Sequence, residues 1–175
     1  YLPARSVHLD AGAPTPLAEQ RARQAVRVSP METRQVGSSG LRVSRLGLGT
    51  MTWGRDTPAE NAHALLEMFC EAGGTLIDTA AAYGAGDAER IVGKLVRELG
   101  NRDEVILATK AGFVIRDGKR IVDTSRRALL RDLDGSLRRL QSDYIDLWQI
   151  HAWGEAPVEE SLGAIDYAVS TGRVR

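Results

Sequence analysis

Four side chains in this sequence stand where a fold would present reactive groups. The apolar run Thr75-Leu76-Ile77 ends on Asp78, and five residues later Tyr83 stands beside Gly84 in a loop. Val105-Ile106-Leu107-Ala108-Thr109 ends on Lys110, and Tyr144-Ile145-Asp146-Leu147-Trp148-Gln149-Ile150 ends on His151. An apolar strand that ends on a charge delivers it to a sheet edge, because burying an unpaired carboxylate costs several kcal/mol or more. Taken singly, each residue has an ordinary explanation. Asp78 could cap a helix, Lys110 could be a solvated charge, His151 a structural hydrogen-bonded ring, and Tyr83 packing. Three titratable groups at the equivalent place on consecutive strands are much less often an accident.

Their chemistry is coherent. A phenol, with an ordinary pKa near 10, is a poor proton donor at neutral pH unless tuned, and a neighbouring ammonium favours its phenolate. A carboxylate beside the lysine holds it charged and in place, and a histidine can orient a carbonyl oxygen. No nucleophile stands among them, and metal ligands are too few for a hydrolytic centre. An acid beside a polarised carbonyl then needs electrons from elsewhere, and a nicotinamide hydride is the natural source.

The elements that must position these groups alternate. Thr33-Arg34-Gln35-Val36 and Leu41-Arg42-Val43 flank Gly37-Ser38-Ser39-Gly40 as a hairpin, and Leu46-Gly47-Leu48-Gly49-Thr50 reads as a first buried strand. A helix follows, with Thr57 as N-cap, Pro58 at its first position and Glu60 completing a capping box. Its expected core face is Ala62, Leu65, Leu66 and Phe69. A second helix starts near Asp87 and carries Ile91, Val92, Leu95, Val96 and Leu99 before Gly100. A hairpin turn at Asp117-Gly118 leads to a third, with Leu129, Leu130, Leu133, Leu137 and Leu140 at helical spacing. The fourth begins around Pro157, is expected to bury Val158, Leu162, Ile165 and Val169, and closes at Gly172.

Four strand–helix units starting near residues 46, 75, 105 and 144 mean parallel strands with covering helices. No G-x-G-x-x-G turn follows the first strand, so the dinucleotide fingerprint of a doubly wound open sheet is missing. In a (β/α) barrel the C-terminal strand ends converge on one face, where active sites lie, and Asp78, Lys110 and His151 hold that position. The expected fold is therefore α/β, a parallel TIM-type (β/α)8 barrel of which about four units are present.

Composition narrows the partners. The 175 residues are 43% hydrophobic, enough for a core, and 23 basic side chains balance 23 acidic ones. That balance argues against nucleic acid or an anionic membrane as partner. The single cysteine, Cys70, reads as packing, with no disulfide framework or metal cluster implied. No apolar run approaches the roughly 20 residues of a membrane span, and no signal peptide is evident, so a soluble cytoplasmic protein is the expectation. Residues 1–30 hold four of the six prolines and little periodicity; they read as a disordered or non-native extension, with the regular domain spanning 31–175.

From about Arg34 onward the chain resembles the aldo-keto reductases, NADPH-dependent (β/α)8-barrel oxidoreductases. The matching blocks are Leu46-Gly47-Leu48-Gly49-Thr50-Met51, Ile77-Asp78-Thr79-Ala80 with Tyr83-Gly84, Ala108-Thr109-Lys110, and Asp146-Leu147-Trp148-Gln149-Ile150-His151. The resemblance implies that Tyr83 is the general acid in carbonyl reduction, helped by Lys110, with Asp78 paired to that lysine and His151 orienting the carbonyl. It implies that Gly49, Thr50, Met51 and Asp78 face the cofactor, NADPH or alternatively NADH, and that Trp53 and Trp153 join Tyr83 and His151 as substrate-pocket walls. It covers the first half of a fold that typically needs about 250 residues, so exposed half-barrel edges and self-association are expected. Two other readings stand beside a carbonyl reductase: a non-catalytic NADP(H)-binding regulatory protein on the same barrel, and an isomerase or aldolase with Lys110 as Schiff-base lysine.

Overall fold

The computed structural model describes residues 31–175; the reading of residues 1–30 as an extension lies outside the described residues. Strands β1 (Thr33–Gln35) and β2 (Arg42–Ser44) pair antiparallel as the expected hairpin. There follow β3 (Gly47–Gly49), α1 (Ala59–Glu71), β4 (Leu76–Asp78), α2 (Asp87–Leu99) and β5 (Ile106–Ala111). A hairpin of β6 (Phe113–Arg116) and β7 (Lys119–Val122), then α3 (Arg126–Leu140), β8 (Leu147–Ile150) and α4 (Val158–Ser170) complete the order. Strands β3, β4, β5 and β8 form one parallel sheet in chain order, and each is followed by a helix. This is a partial TIM-type barrel of four consecutive βα units.

Strand alternation divides the sheet into two faces. Ile77, Leu107 and Trp148 belong to the face covered by helices and share one core with Leu66, Val92, Val96, Leu129 and Leu133. Side-chain clamps fix the strands at their starting ends. Ser44 Oγ accepts from the backbone N–H groups of Thr75 and Leu76 at 2.9 and 3.1 Å, tying the first hairpin to β4. Asp146 Oδ2 accepts from Leu107 N at 2.9 Å and Arg102 Nη2 at 2.8 Å, holding the approach to β8 against β5. The turn at Asp117-Gly118 has φ of 51° and 70°, the paired left-handed conformation a two-residue hairpin requires.

Several local expectations are corrected. Thr57 does not cap α1; its hydroxyl is bonded to Thr52 Oγ1 at 2.8 Å, and Pro58 holds the N-cap position with no side-chain cap. Leu65 is exposed, while Ala62 and Leu66 are fully buried and Phe69 packs partly buried against the core as expected. The first strand lies at the sheet's edge, where only β4 flanks it, so Leu46 is 66% exposed rather than buried. On α4 the buried residues are Ser161, Ala164 and Ala168, while Val158, Leu162 and Val169 face outward. Lys110 falls inside β5 rather than just past it. Cys70 packs half-buried against the core and accepts from Asn101 Nδ2 at 3.4 Å, and burial pushes its thiol up, keeping it protonated.

Candidate active site

The sheet register explains how distant residues meet. Gly49 pairs with Asp78, Asp78 with Ala108, and Ala108 with Leu147, while Lys110 pairs with Gln149. Asp78, Lys110 and His151 therefore share one face, each reaching two residues further along its strand than the last. His151 prolongs the ladder, its N–H donating to Ala111 O at 2.9 Å. A staircase of this kind brings the three side chains to the C-terminal mouth of the sheet.

Tyr83 arrives from the loop after β4, in a short 3₁₀ turn over Tyr83–Gly86. Gly84, Ala85 and Gly86 all have positive φ (56°, 52° and 95°), so the chain coils left-handed directly behind the phenol. For Ala85 this costs about 1 kcal/mol. At Gly86 a Cβ would lie 2.7 Å from Arg139 Cδ, which leaves glycine as the residue that fits.

Lys110 ties the cluster together. Its Nζ donates to Asp78 Oδ2 at 2.7 Å, to the carbonyl of Thr79 at 2.9 Å and to Tyr83 Oη at 3.3 Å. An ammonium has three N–H groups, and all three are engaged. The Lys110 side chain is 14% exposed and that of Asp78 35%, so the lysine is sheltered while the carboxylate stays partly open to solvent. The Tyr83 and His151 rings meet edge-on, 5.8 Å apart at 85°, and Phe113 packs on His151 at 5.2 Å. Burial first, and the Lys110 ammonium second, hold the His151 ring below the usual imidazole range, with Asp78 opposing them. At neutral pH the imidazole is therefore neutral, and its buried Nδ1 has no hydrogen-bond partner among the described residues.

The other expected residues are divided. Met51 is exposed and lines the cleft with Tyr83, Phe113 and His151, in a cavity of about 810 Å³. Thr50 is buried, and both its N–H and its hydroxyl donate to Asp78 O, at 3.0 and 3.1 Å, so it anchors the carboxylate-bearing strand. Gly49 leaves open space where a Cβ would stand. Trp153 is 89% exposed on a smaller cavity of about 350 Å³, which His151 also borders. Trp53 is not a cleft wall; it is 2% exposed and belongs to the core, because the turn after β3 folds its indole inward.

Sequence reasoning missed two residues that shape this site. Phe113 sits in a hairpin whose position over His151 no periodicity reveals. Glu89 is fully buried, accepting from Thr109 Oγ1 and Arg139 Nε, both at 2.6 Å. A signal for it existed: Glu89, Val92, Gly93 and Val96 recur at helical spacing, which puts a carboxylate on the core face of α2.

One parallel βα sheet thus carries Asp78, Tyr83, Lys110 and His151 together at its C-terminal mouth. The sequence pattern of the Aldo/keto reductase family matches residues 45–175, and the chain belongs to that family. It is 39% identical over 155 residues to the aldo-keto reductase YhdN of Bacillus subtilis, covering 83% of this chain and 45% of that protein. It is 37% identical over 145 residues to a probable voltage-gated potassium channel subunit beta of Oryza sativa, covering 81% of this chain and 44% of the relative. The solved aldo-keto reductase AKR11C1 from Bacillus halodurans, in its holo form, superposes with a TM-score of 0.76 at 38% identity, covering 83% of this chain and 48% of that one. The chain thus spans about half the length of the relatives it matches.

Proposed function

We propose that this chain carries the proton-transfer residues of an NADPH-dependent reductase of aldehydes and ketones. The observation that carries the reading is the Lys110 ammonium, bonded at once to Asp78, to Thr79 O and to the Tyr83 hydroxyl. Residues at the C-terminal ends of β3 and β4 fit a flat nicotinamide ring. Gly49 leaves its space open, Met51 is exposed beside it, and the half-open Asp78 carboxylate can take a ribose hydroxyl. When bound, the nicotinamide supplies a hydride to the carbonyl carbon.

The chain's own residues do the rest. The neutral His151 ring orients the carbonyl oxygen beside Tyr83. Tyr83 Oη gives its proton to that oxygen as negative charge develops there. The Lys110 ammonium then faces the charge left on the phenolic oxygen, and Asp78 keeps the ammonium aimed. Phe113 and Met51 limit water at the reacting carbon. A positioned acid of this kind contributes typically about 10²- to 10⁴-fold. NADPH is the expected donor with NADH as the alternative, and the setting is cytoplasmic; no helix among the described residues is long and apolar enough to cross a membrane.

The likeness to a channel beta subunit supports a second reading, in which cofactor binding serves regulation. NADPH oxidation with a panel of aldehydes and ketones, beside Tyr83→Phe, tests both. The expected result is turnover that falls at least about 10²-fold in the variant with cofactor binding retained. Tight NADPH binding without oxidation by any carbonyl would put the regulatory reading first.

A further inference from the structure

The cleft continues past the reacting groups. From Tyr83 and His151 it passes between the loop at residues 81–85 and the β6–β7 hairpin to the outer face of α3. There it is lined by Arg131, Gly135 and Arg138, whose spacing of four and then three residues puts them on one helix face. Arg55 stands on the opposite rim. A second cavity of about 690 Å³ shares Gly135, Arg138 and Arg139 and runs on between α2 and α3, past Arg90, Lys94 and Arg97. In a chain of zero formal charge, seven cations and a single carboxylate, Asp132, line these two neighbouring spaces.

Cations in the last turn of a helix are favoured by its dipole, which accounts for Arg97, Arg138 and Arg139. It does not account for Arg55, Arg90, Lys94 or Arg131. Three have exposed neighbours as partners, Asp56 for Arg55, Asp87 for Arg90 and Glu98 for Lys94, while the largely exposed Arg131 donates from Nε and Nη2 to the sheltered Asp132 Oδ1 at 3.3 and 3.1 Å. Such pairs are weak and readily exchanged. Arg138 has no ion-pair partner among the described residues. The floor is built: Glu89 fixes Arg139, and a Cβ on Gly135 would lie 2.9 Å from Arg139 Nη1, so the missing side chain makes room for the guanidinium.

We infer that the substrate is a carbonyl compound bearing a carboxylate or phosphate, its anion held by Arg131 and Arg138 while its carbonyl reaches Tyr83 and His151. This rests on the reductase reading and names its substrate class. Arginine suits the task because its planar fork matches either anion with two parallel hydrogen bonds. The clustered charge also raises the encounter rate of anions, an effect that salt screens.

The test compares kcat/KM for 4-carboxybenzaldehyde, 4-formylphenyl phosphate and the uncharged 4-nitrobenzaldehyde, in the protein and in Arg131→Ala, Arg138→Ala and Arg138→Gln. Binding of terephthalate, which has no reducible aldehyde, is measured by calorimetry alongside. An anionic aldehyde is expected to be preferred, with a preference that shrinks with added salt. Each arginine variant is expected to cut the ratio of anionic to neutral kcat/KM about tenfold, mainly through KM. Whichever anion is preferred identifies the group. Equal use of charged and neutral aldehydes, or a ratio that none of the variants moves, overturns the inference and leaves the reductase reading standing. Terephthalate binding that depends on Arg131 and Arg138, with no aldehyde reduced, upholds the anion site and removes the reductase reading.

Discussion

Helices α2 and α4 have thirteen residues each and follow strands of the same sheet, yet they bury opposite kinds of side chain. Helix α2 packs against both α1 and α3, and it buries Val92, Leu95 and Val96 together with the carboxylate of Glu89. Helix α4 packs against α3; it fully buries only Ser161, Ala164 and Ala168, packs Ile165 partly against the core, and turns Val158, Leu162 and Val169 outward. Helical spacing marks faces that can be buried; the neighbours decide which of them is. Where neighbours close in from both sides, even a carboxylate can be held inside, provided it is paired and hydrogen-bonded.

Glu89 gives the sharpest test of that difference. It joins the helix that starts just after the Tyr83 turn to Thr109, the residue before Lys110, and through Arg139 to α3. Glu89→Ala leaves Arg139 facing a buried void and Thr109 without its acceptor, at a cost of about 3 kcal/mol or more by urea unfolding. Glu159→Ala, on the exposed side of α4, is expected to stay within about 0.5 kcal/mol. Equal costs at the two positions would break the contrast. Glu89→Gln, which can still accept from Thr109, should fall between them.

The glycines sharpen it further, because here the two helices should respond with opposite sign. A Cβ on Gly93 of α2 would lie 2.4 Å from the carbonyl oxygen of Leu140, a backbone atom that cannot yield without moving α3. Gly93→Ala is expected to destabilise by about 1–3 kcal/mol despite the better helix propensity of alanine. On α4 a Cβ at Gly163 would meet only Arg126 Nη1, at 3.1 Å, the far end of a flexible side chain. Gly163→Ala is expected to be neutral or stabilising by up to about 1 kcal/mol, less whatever the bond from Arg126 to Gly163 O contributes. Thermal unfolding of both variants decides it; a shared sign would mean that the α2–α3 contact is looser than its geometry.

These contrasts also mark what the sequence could and could not show. The four βα units were legible because apolar runs and helical repeats are local signals, and the convergence of Asp78, Lys110 and His151 follows once the strands are parallel and in order. The outward face of α4 was not legible, since Val158, Leu162 and Val169 join Ile165 in as good a stripe as Ser161, Ala164 and Ala168, yet of that stripe only Ile165 packs against the core. Nor was the burial of Trp53, which depends on how one turn after β3 folds back. Thr57 carries a sound capping signature, but Thr52 takes its hydroxyl from five residues away. The arginine-lined groove needs two helices and a hairpin brought together, and no window along the chain contains them.

The smallest expected effect on stability lies on the outward face of α4. Val158, Leu162 and Val169 are about half exposed there, beside the cavity that Leu162 and Trp153 line, and among the described residues β8 has no ladder partner on the side away from β5, where a single bridge joins Ile145, just before it, to Val174. An unpaired strand edge next to an apolar stripe is a template for association, and a second copy of the chain presents the same surface. Sedimentation of the 175-residue chain is expected to show concentration-dependent self-association. Leu162→Glu should weaken that association while changing unfolding stability by no more than about 0.5 kcal/mol, because the side chain it replaces is 57% exposed. A wild-type chain that stays monomeric with cooperative unfolding at every concentration would show that this face carries no adhesive energy. A Leu162→Glu chain that unfolds far more readily would show instead that α4 draws stability from its outer face, and the contrast with α2 would then be one of degree.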